Sequence, residues 1–229
     1  MRWSTFNLRI SNVHLLRGRR PVLIDSGPPG RFDSLRARLR ALSIETKELG
    51  AVILTHGHAD HAGTAAEFDR EGVPVLLGAG DLPLATSGQN PDVHSTGLTA
   101  RLLRPFLPWS YPAFSPTTAV ETSLDLASFG LDGVMRVVGG HSLGSSVVIA
   151  DDLLLAGDLV RGGYLGGTLL SGRARIHYYS DDPASDLKTV AALIDEYHPT
   201  SILLGHGGPL SSDAARRRID SLIEGLRRK

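Results

Sequence analysis

Apolar and polar positions alternate through the first 25 residues: Phe6, Leu8 and Ile10, then Val13 and Leu15, then Val22, Leu23 and Ile24 take the apolar places. A period of two belongs to strands, and Arg17-Gly18-Arg19-Arg20-Pro21 reads as a tight turn, so antiparallel strands are predicted here. The cluster Asp25-Ser26-Gly27-Pro28-Pro29-Gly30 closes the last of them. From Phe32 to Leu42 the period changes. Leu35, Leu39 and Leu42 fall four and three residues apart, the stripe of an amphipathic helix. The apolar run Ala51-Val52-Ile53-Leu54 predicts a short buried strand, residues 61 to 71 a helix, and Val73 to Leu77 a further strand. Strands alternating with helices define a layered α/β fold.

Residues 80 to 118 break the pattern. Prolines at 83, 91, 105, 108, 112 and 116 exclude one regular element. Leu102, Leu103, Phe106, Leu107, Trp109, Tyr111 and Phe114 make the segment too apolar for a linker. It reads as a lid or pocket wall, with a dimer contact or a core-packing excursion as the alternatives. Beyond it, strands are predicted over Val120 to Leu126, Gly133 to Val138, Ser145 to Ala150, Leu153 to Ala156 and Ser201 to Leu204. A helix starts at Asp181 or Asp182 with Pro183 in its first turn, and a last helix is capped by Ser211-Ser212-Asp213. The whole, residues 1–229, is expected to form one domain carrying the 80–118 insertion.

Composition narrows the function by exclusion. Basic and acidic residues balance at 24 each, which argues against a nucleic-acid binder. Cysteine is absent, so thiolate metal sites, a cysteine nucleophile and disulfides are excluded. No stretch has the length of a membrane span or the apolar core of a signal peptide. A cytoplasmic location, with no membrane partner, is therefore expected.

The chemistry concentrates at Thr55-His56-Gly57-His58-Ala59-Asp60-His61, directly after the strand at 51–54. In an extended chain His56 and His58 point to one side, and Asp60 with His61 opens the following helix. Imidazole and carboxylate at this spacing are ligands for zinc, iron or manganese. Three further strands run out through a glycine into a ligand type: Gly140 before His141, Gly157 before Asp158, and Gly205 before His206. Four strand ends presenting His or Asp suit a site at one edge of a sheet. Asp25, also at a strand end, is either a turn-capping aspartate or a carboxylate that orients a metal-binding histidine.

This order, His56-x-His58-x-Asp60-His61 followed by His141, Asp158 and His206, resembles the metallo-β-lactamase fold superfamily, in the style of its glyoxalase II-like hydrolases. The resemblance implies a four-layer αββα sandwich and two divalent metal ions, zinc first, with iron or manganese possible. It implies that His56, His58 and His141 hold one ion, that Asp60, His61 and His206 hold the second, and that Asp158 bridges them. It further implies hydrolysis of a small-molecule ester-like bond by metal-activated water, with Asp60 orienting that water. The superfamily also contains mononuclear iron persulfide dioxygenases and phosphodiesterases or nucleases, which stand as alternatives. His14, His94, His177 and His198 match no ligand position. Lactonases of this fold place a tyrosine three residues after the bridging aspartate, where this chain has Arg161. Substrate selection is expected from two segments. Phe106, Trp109 and Tyr111 would form an apolar cover. Arg173, Arg175, His177, Tyr178 and Tyr179 would offer donors, or simply pack an ordinary strand. A homodimer is compatible with the sequence.

Overall fold

The computed structural model describes residues 1–228. One sheet contains β1 (Arg2–Asn7), β2 (Asn12–Arg17), β3 (Pro21–Ile24), β4 (Ala51–Ile53), β5 (Val75–Gly78) and β6 (Thr118–Val120), in that order. The second contains β7 (Ser123–Asp125), β8 (Val134–Val137), β9 (Ser146–Ala150) and β10 (Leu153–Leu155). A two-stranded ribbon, β11 (Arg161–Tyr164) and β12 (Leu169–Arg175), precedes β13 (Ser201–Leu203) and β14 (Leu210–Ser211), which complete the second sheet in the order β14-β13-β10-β9-β8-β7. The single strand predicted over Val120 to Leu126 is two strands, because the chain passes from one sheet to the other between them.

Each inner strand is buried on both faces, so it reads as an unbroken apolar run. Alternate side chains then serve different cores. Val52 of β4 and Val75 and Leu77 of β5 face the helix layer of α1 (Phe32–Arg40) with Leu35, Leu39 and Phe68. Ile53 and Leu76 face the other way, into a core between the sheets with Met135, Val148, Leu155 and Leu203. Leu154 and Ile202 pack outward against helices later in the chain. The four layers are helix, sheet, sheet and helix, as expected.

The predicted helix at 61–71 is two short pieces, α2 (Ala59–Ala62) and α3 (Ala65–Arg70), broken at Gly63, where a β-carbon would collide with the carbonyl of Ala59 and the nitrogen of Pro29. The 80–118 segment is irregular apart from α4 (Leu82–Ser87), α5 (Leu98–Leu103) and short single turns. The outer helices of the second half are α6 (Pro183–Tyr197), whose N-cap Asp182 accepts a bond from Ser185 N, and α7 (Ser212–Arg227). Among the described residues no helix is long and apolar enough to cross a membrane.

What this topology does for the site follows from strand direction. β3 and β4 run parallel, as do β10 and β13, while β8 and β10 are each antiparallel to β9 and hence parallel to one another. Their carboxyl ends, carrying Asp25, the 55–61 turn, His141, Asp158 and His206, therefore point to one edge of the sandwich. The carboxyl edge of parallel strands is where α/β sheets present their ligands. Two bonds tie the sheets there: Ser146 N donates to Thr55 O at 2.7 Å, and Asn12 N to Gly205 O at 2.8 Å.

Candidate metal centre

At that edge the imidazoles are fixed from behind. Asp25, at φ 64°, accepts Thr55 N at 2.8 Å and Thr55 Oγ1 at 3.0 Å through Oδ1, and His61 Nδ1 at 2.8 Å through Oδ2. Thr55 Oγ1, its proton committed to Asp25, is left to accept from His56 Nδ1 at 3.1 Å. His141 Nδ1 donates to Tyr179 O at 2.9 Å. In each case the outer nitrogen is committed to a fixed acceptor, so Nε2 is the atom turned to the centre and left to a metal once it carries no proton. Asp25 thus ties the His61 ring to the Thr55 turn.

The inner atoms converge on Asp158. Its Oδ2 lies 3.1 Å from His206 Nε2, 3.3 Å from His61 Nε2, 3.8 Å from His141 Nε2 and 3.9 Å from His56 Nε2. The ligand atoms fall into groups, each within 4.8 Å: His56, His58 and His141, and Asp60, His61, Asp158 and His206. A third group joins His141 and Asp158 to His177, which the sequence reading left outside the ligand set. Gly205 makes the approach possible, since a β-carbon there would collide with Asp158 Oδ1 and His61 Cε1.

The donors fit a cation. Nε2 of His56 and His58 and Oδ1 of Asp158 are buried without a hydrogen-bond partner among the described residues. Buried polar atoms without partners are costly unless a positive charge satisfies them, and His58 meets His141 Nε2 through Nδ1 at 3.0 Å. Electrostatics agree. Burial opposes charge on Asp158, but His206, His61 and His177 outweigh it and hold the carboxyl well below its usual range. Burial likewise opposes charge on His206, yet Asp158 and Asp60 push its pKa up to about 10. His56 and His141 go the other way, lowered by burial and by their neighbouring imidazoles.

A metal must displace the proton that His206 carries at neutral pH, and the same carboxylates raise the His61 pKa. Metal uptake at pH 7.5 is therefore expected to release protons, and apparent affinity to climb as pH rises from neutrality toward about 10. Calorimetric titration in two buffers of different protonation enthalpy measures the release, and identical heats in both would refute it.

Two positioning residues had no sequence signal. Asp81 is buried and accepts Gly57 N at 2.8 Å, Gly144 N at 2.8 Å and Ser142 Oγ at 2.7 Å, holding the turns of His56–His58 and of His141 in register. Asn90 Oδ1 accepts Ala59 N at 2.7 Å. Both lie in the 80–118 segment, or at its start, among many polar residues of no distinguishing pattern.

The expected substrate residues divide. Above the donors lies a cleft of about 420 Å³ whose walls include Phe106, Leu107, Leu165, His177, Tyr178 and Arg9. Tyr111 does not reach it: the ring is buried beside Phe114 and its hydroxyl donates to Gly57 O at 2.6 Å, so it braces the ligand turn from beneath. Trp109 is also absent from the walls and lies under the Arg104 guanidinium, 5.6 Å from its centroid. Phe106, Leu107 and Pro108, rather than Trp109, line the cleft. Arg175 is held on the Tyr164 ring, and Arg161 stacks 3.8 Å from the Tyr178 centroid. His14 is tied to Thr5 and Leu204, and His94 is exposed beside Asp181.

The model of the metallo-beta-lactamase superfamily matches residues 7–206, and the chain belongs to that superfamily. It is similar to the probable metallo-hydrolase YqjP of Bacillus subtilis (strain 168), 25% identical over 236 residues, covering 93% of this chain and 70% of YqjP. The probable metallo-hydrolase YflN of the same organism is 27% identical over 228 residues, covering 90% of this chain and 82% of its own. In fold it resembles TTHA1623, solved in a di-iron-bound form, with a TM-score of 0.64 and 23% identity over 95% of this chain and 98% of that one. The chain is a metal-dependent hydrolase of this superfamily.

Proposed function

We propose that the chain holds two divalent ions, zinc in first place with iron or manganese as alternatives, and hydrolyses an ester-like bond of a small molecule: a thioester, a lactone or a related acyl compound. The observation that carries this is the pair of donor groups meeting at Asp158 on the floor of a mainly apolar cleft of about 420 Å³. That volume suits a small organic substrate, and the neutral net charge favours one over a nucleic acid. We place the enzyme in the cytoplasm.

Bound divalent ions would supply Lewis acidity and lower the pKa of a water from near 16 toward 7. The residues of the chain do the rest. Burial opposes charge on Asp60, but His61 and His206 hold it ionised, so its carboxylate can accept a hydrogen bond from the attacking water and aim its lone pair. Leu103, Phe106, Leu107 and Leu165 offer an apolar wall to the acyl group. Arg9 offers a guanidinium to a substrate carboxylate.

Elemental analysis of the purified protein is expected to find two metals per chain. A panel of thioesters, lactones, β-lactams and phosphodiesters, with oxygen uptake measured on a persulfide, should show turnover of the acyl compounds. Phosphodiester cleavage or persulfide oxidation as the sole activity would sink the acyl reading. A single metal per chain in every preparation would sink the dinuclear one. Within the preferred class, Phe106→Ala should lower kcat/KM for a bulky acyl substrate by roughly tenfold, about 1.4 kcal/mol, and Trp109→Ala should leave it unchanged. Equal effects of the two would remove Phe106 from the pocket.

A further inference from the structure

His177 follows the ribbon β11–β12 and is 5% exposed, yet it has no place in the ligand pattern read from the sequence. Its Nε2 lies 3.1 Å from Asp158 Oδ2, as near as that of His206 and nearer than those of His61, His141 and His56. Its ring centroid is 4.7 Å from that of His141 and 5.3 Å from that of His206. Behind the ring, Nδ1 lies 3.0 Å from Tyr179 O, the same carbonyl that accepts His141 Nδ1 at 2.9 Å. One backbone oxygen thus sets both imidazoles in the same way, with Nδ1 committed to it and Nε2 turned to the centre.

The alternative tautomer is identifiable. Tyr179 N lies 3.3 Å from His177 Nδ1. Were that the operative bond, Nε2 would carry the proton and donate it to Asp158, and His177 would be a buttress. The shorter contact is to the carbonyl. With Nδ1 committed to that carbonyl, Nε2 faces Asp158 Oδ2 at 3.1 Å, and the buried pair is placed to share one cation, a proton in the metal-free chain or a metal ion in its place.

The loop carrying His177 is also fastened in place. Thr96 Oγ1 donates to His177 O at 2.7 Å, Thr96 N to Tyr178 O at 2.9 Å and Ser180 N to His94 O at 3.1 Å. Residues 94–96 of the irregular segment therefore clamp the loop at the mouth of the centre. A histidine used only to touch passing substrates needs no such support from both its ring nitrogen and its backbone.

We propose that His177 is an additional metal ligand, binding a divalent transition ion through Nε2 together with His141 and Asp158. The donor set then comprises six imidazoles and two carboxylates. If two ions occupy the centre as proposed above, this count takes them beyond the four ligands of a closed tetrahedral zinc site and toward the higher coordination that iron and manganese accept.

The direct test is a crystal structure of the wild-type protein loaded with zinc or cobalt. It should show His177 Nε2 at about 2.0–2.3 Å from an ion. A separation beyond about 3 Å, with Nε2 donating to Asp158, would overturn the proposal even if only one ion were bound. In solution, His177→Ala and the milder His177→Gln should weaken one ion in chelator competition by roughly tenfold to a hundredfold and alter the visible spectrum of the cobalt form. His94→Ala, which changes an exposed histidine, should do neither. Two tightly held ions and an unaltered cobalt spectrum in both His177 variants would remove the ligand role while leaving the dinuclear centre intact. Fewer than two ions in the wild type would instead count against that centre.

Discussion

Asp158→Ala is expected to lose one metal ion and to cut turnover by on the order of a thousandfold or more. The magnitude follows from the geometry. Asp158 Oδ2 lies within 3.9 Å of five imidazole nitrogens, and its charge is the main one opposing the burial of His206. Without it the His206 pKa should fall from about 10 toward or below its ordinary value, since burial would act with less opposition. An NMR titration of the metal-free variant reads this directly. Asp158→Asn keeps the shape and tests charge alone. It should resemble the alanine variant in metal content. An asparagine variant with two ions and wild-type turnover would show that Asp158 is not the hub.

Loss of Asp25 should be nearly as damaging, although it is placed behind the ligands. Carboxylates that hold ligating histidines are commonly worth 10–100-fold in metal affinity or activity. Here the carboxylate serves His61 directly, His56 through Thr55, and the Thr55 backbone N–H. Leaving that N–H buried and unpaired costs about 1–3 kcal/mol of stability. Because Asp25 sits at φ 64°, alanine would add backbone strain of its own. Asp25→Asn and Asp25→Gly tolerate that conformation and separate the effects. Both should lose metal affinity at least tenfold, and glycine should also lower the unfolding midpoint. Unchanged chelator competition in the asparagine variant would return Asp25 to the role of a turn cap.

Residues that act through local spacing were legible in the sequence. A strand of apolar residues followed by His56-x-His58-x-Asp60-His61 carries its chemistry in six consecutive positions, and the strand-to-ligand exits at His141, Asp158 and His206 repeat one local form. Strand edges and helix stripes were legible for the same reason, because period two and period 3.6 are properties of neighbouring residues. The break at Gly63 and the change of sheet between β6 and β7 were not, since both depend on what another part of the chain leaves room for.

The side of a loop residue that faces the site is likewise a tertiary matter. Phe106, Trp109 and Tyr111 are equally bulky in the sequence, yet only Phe106 lines the cleft, because Tyr111 finds a hydrogen-bond acceptor at Gly57 O and Trp109 a cation at Arg104. Asp81 became a pillar of two turns only when folding brought Gly57 and Gly144 to its carboxylate. His177 stands 19 residues after Asp158, at no recurring spacing, and meets it only because the intervening ribbon doubles back. The sequence by itself determined the layers and seven convergent donors, since these follow from periodicity and from ligands at strand ends. The tertiary structure alone decided which further side chains join them, because contacts between distant segments depend on the path of the chain.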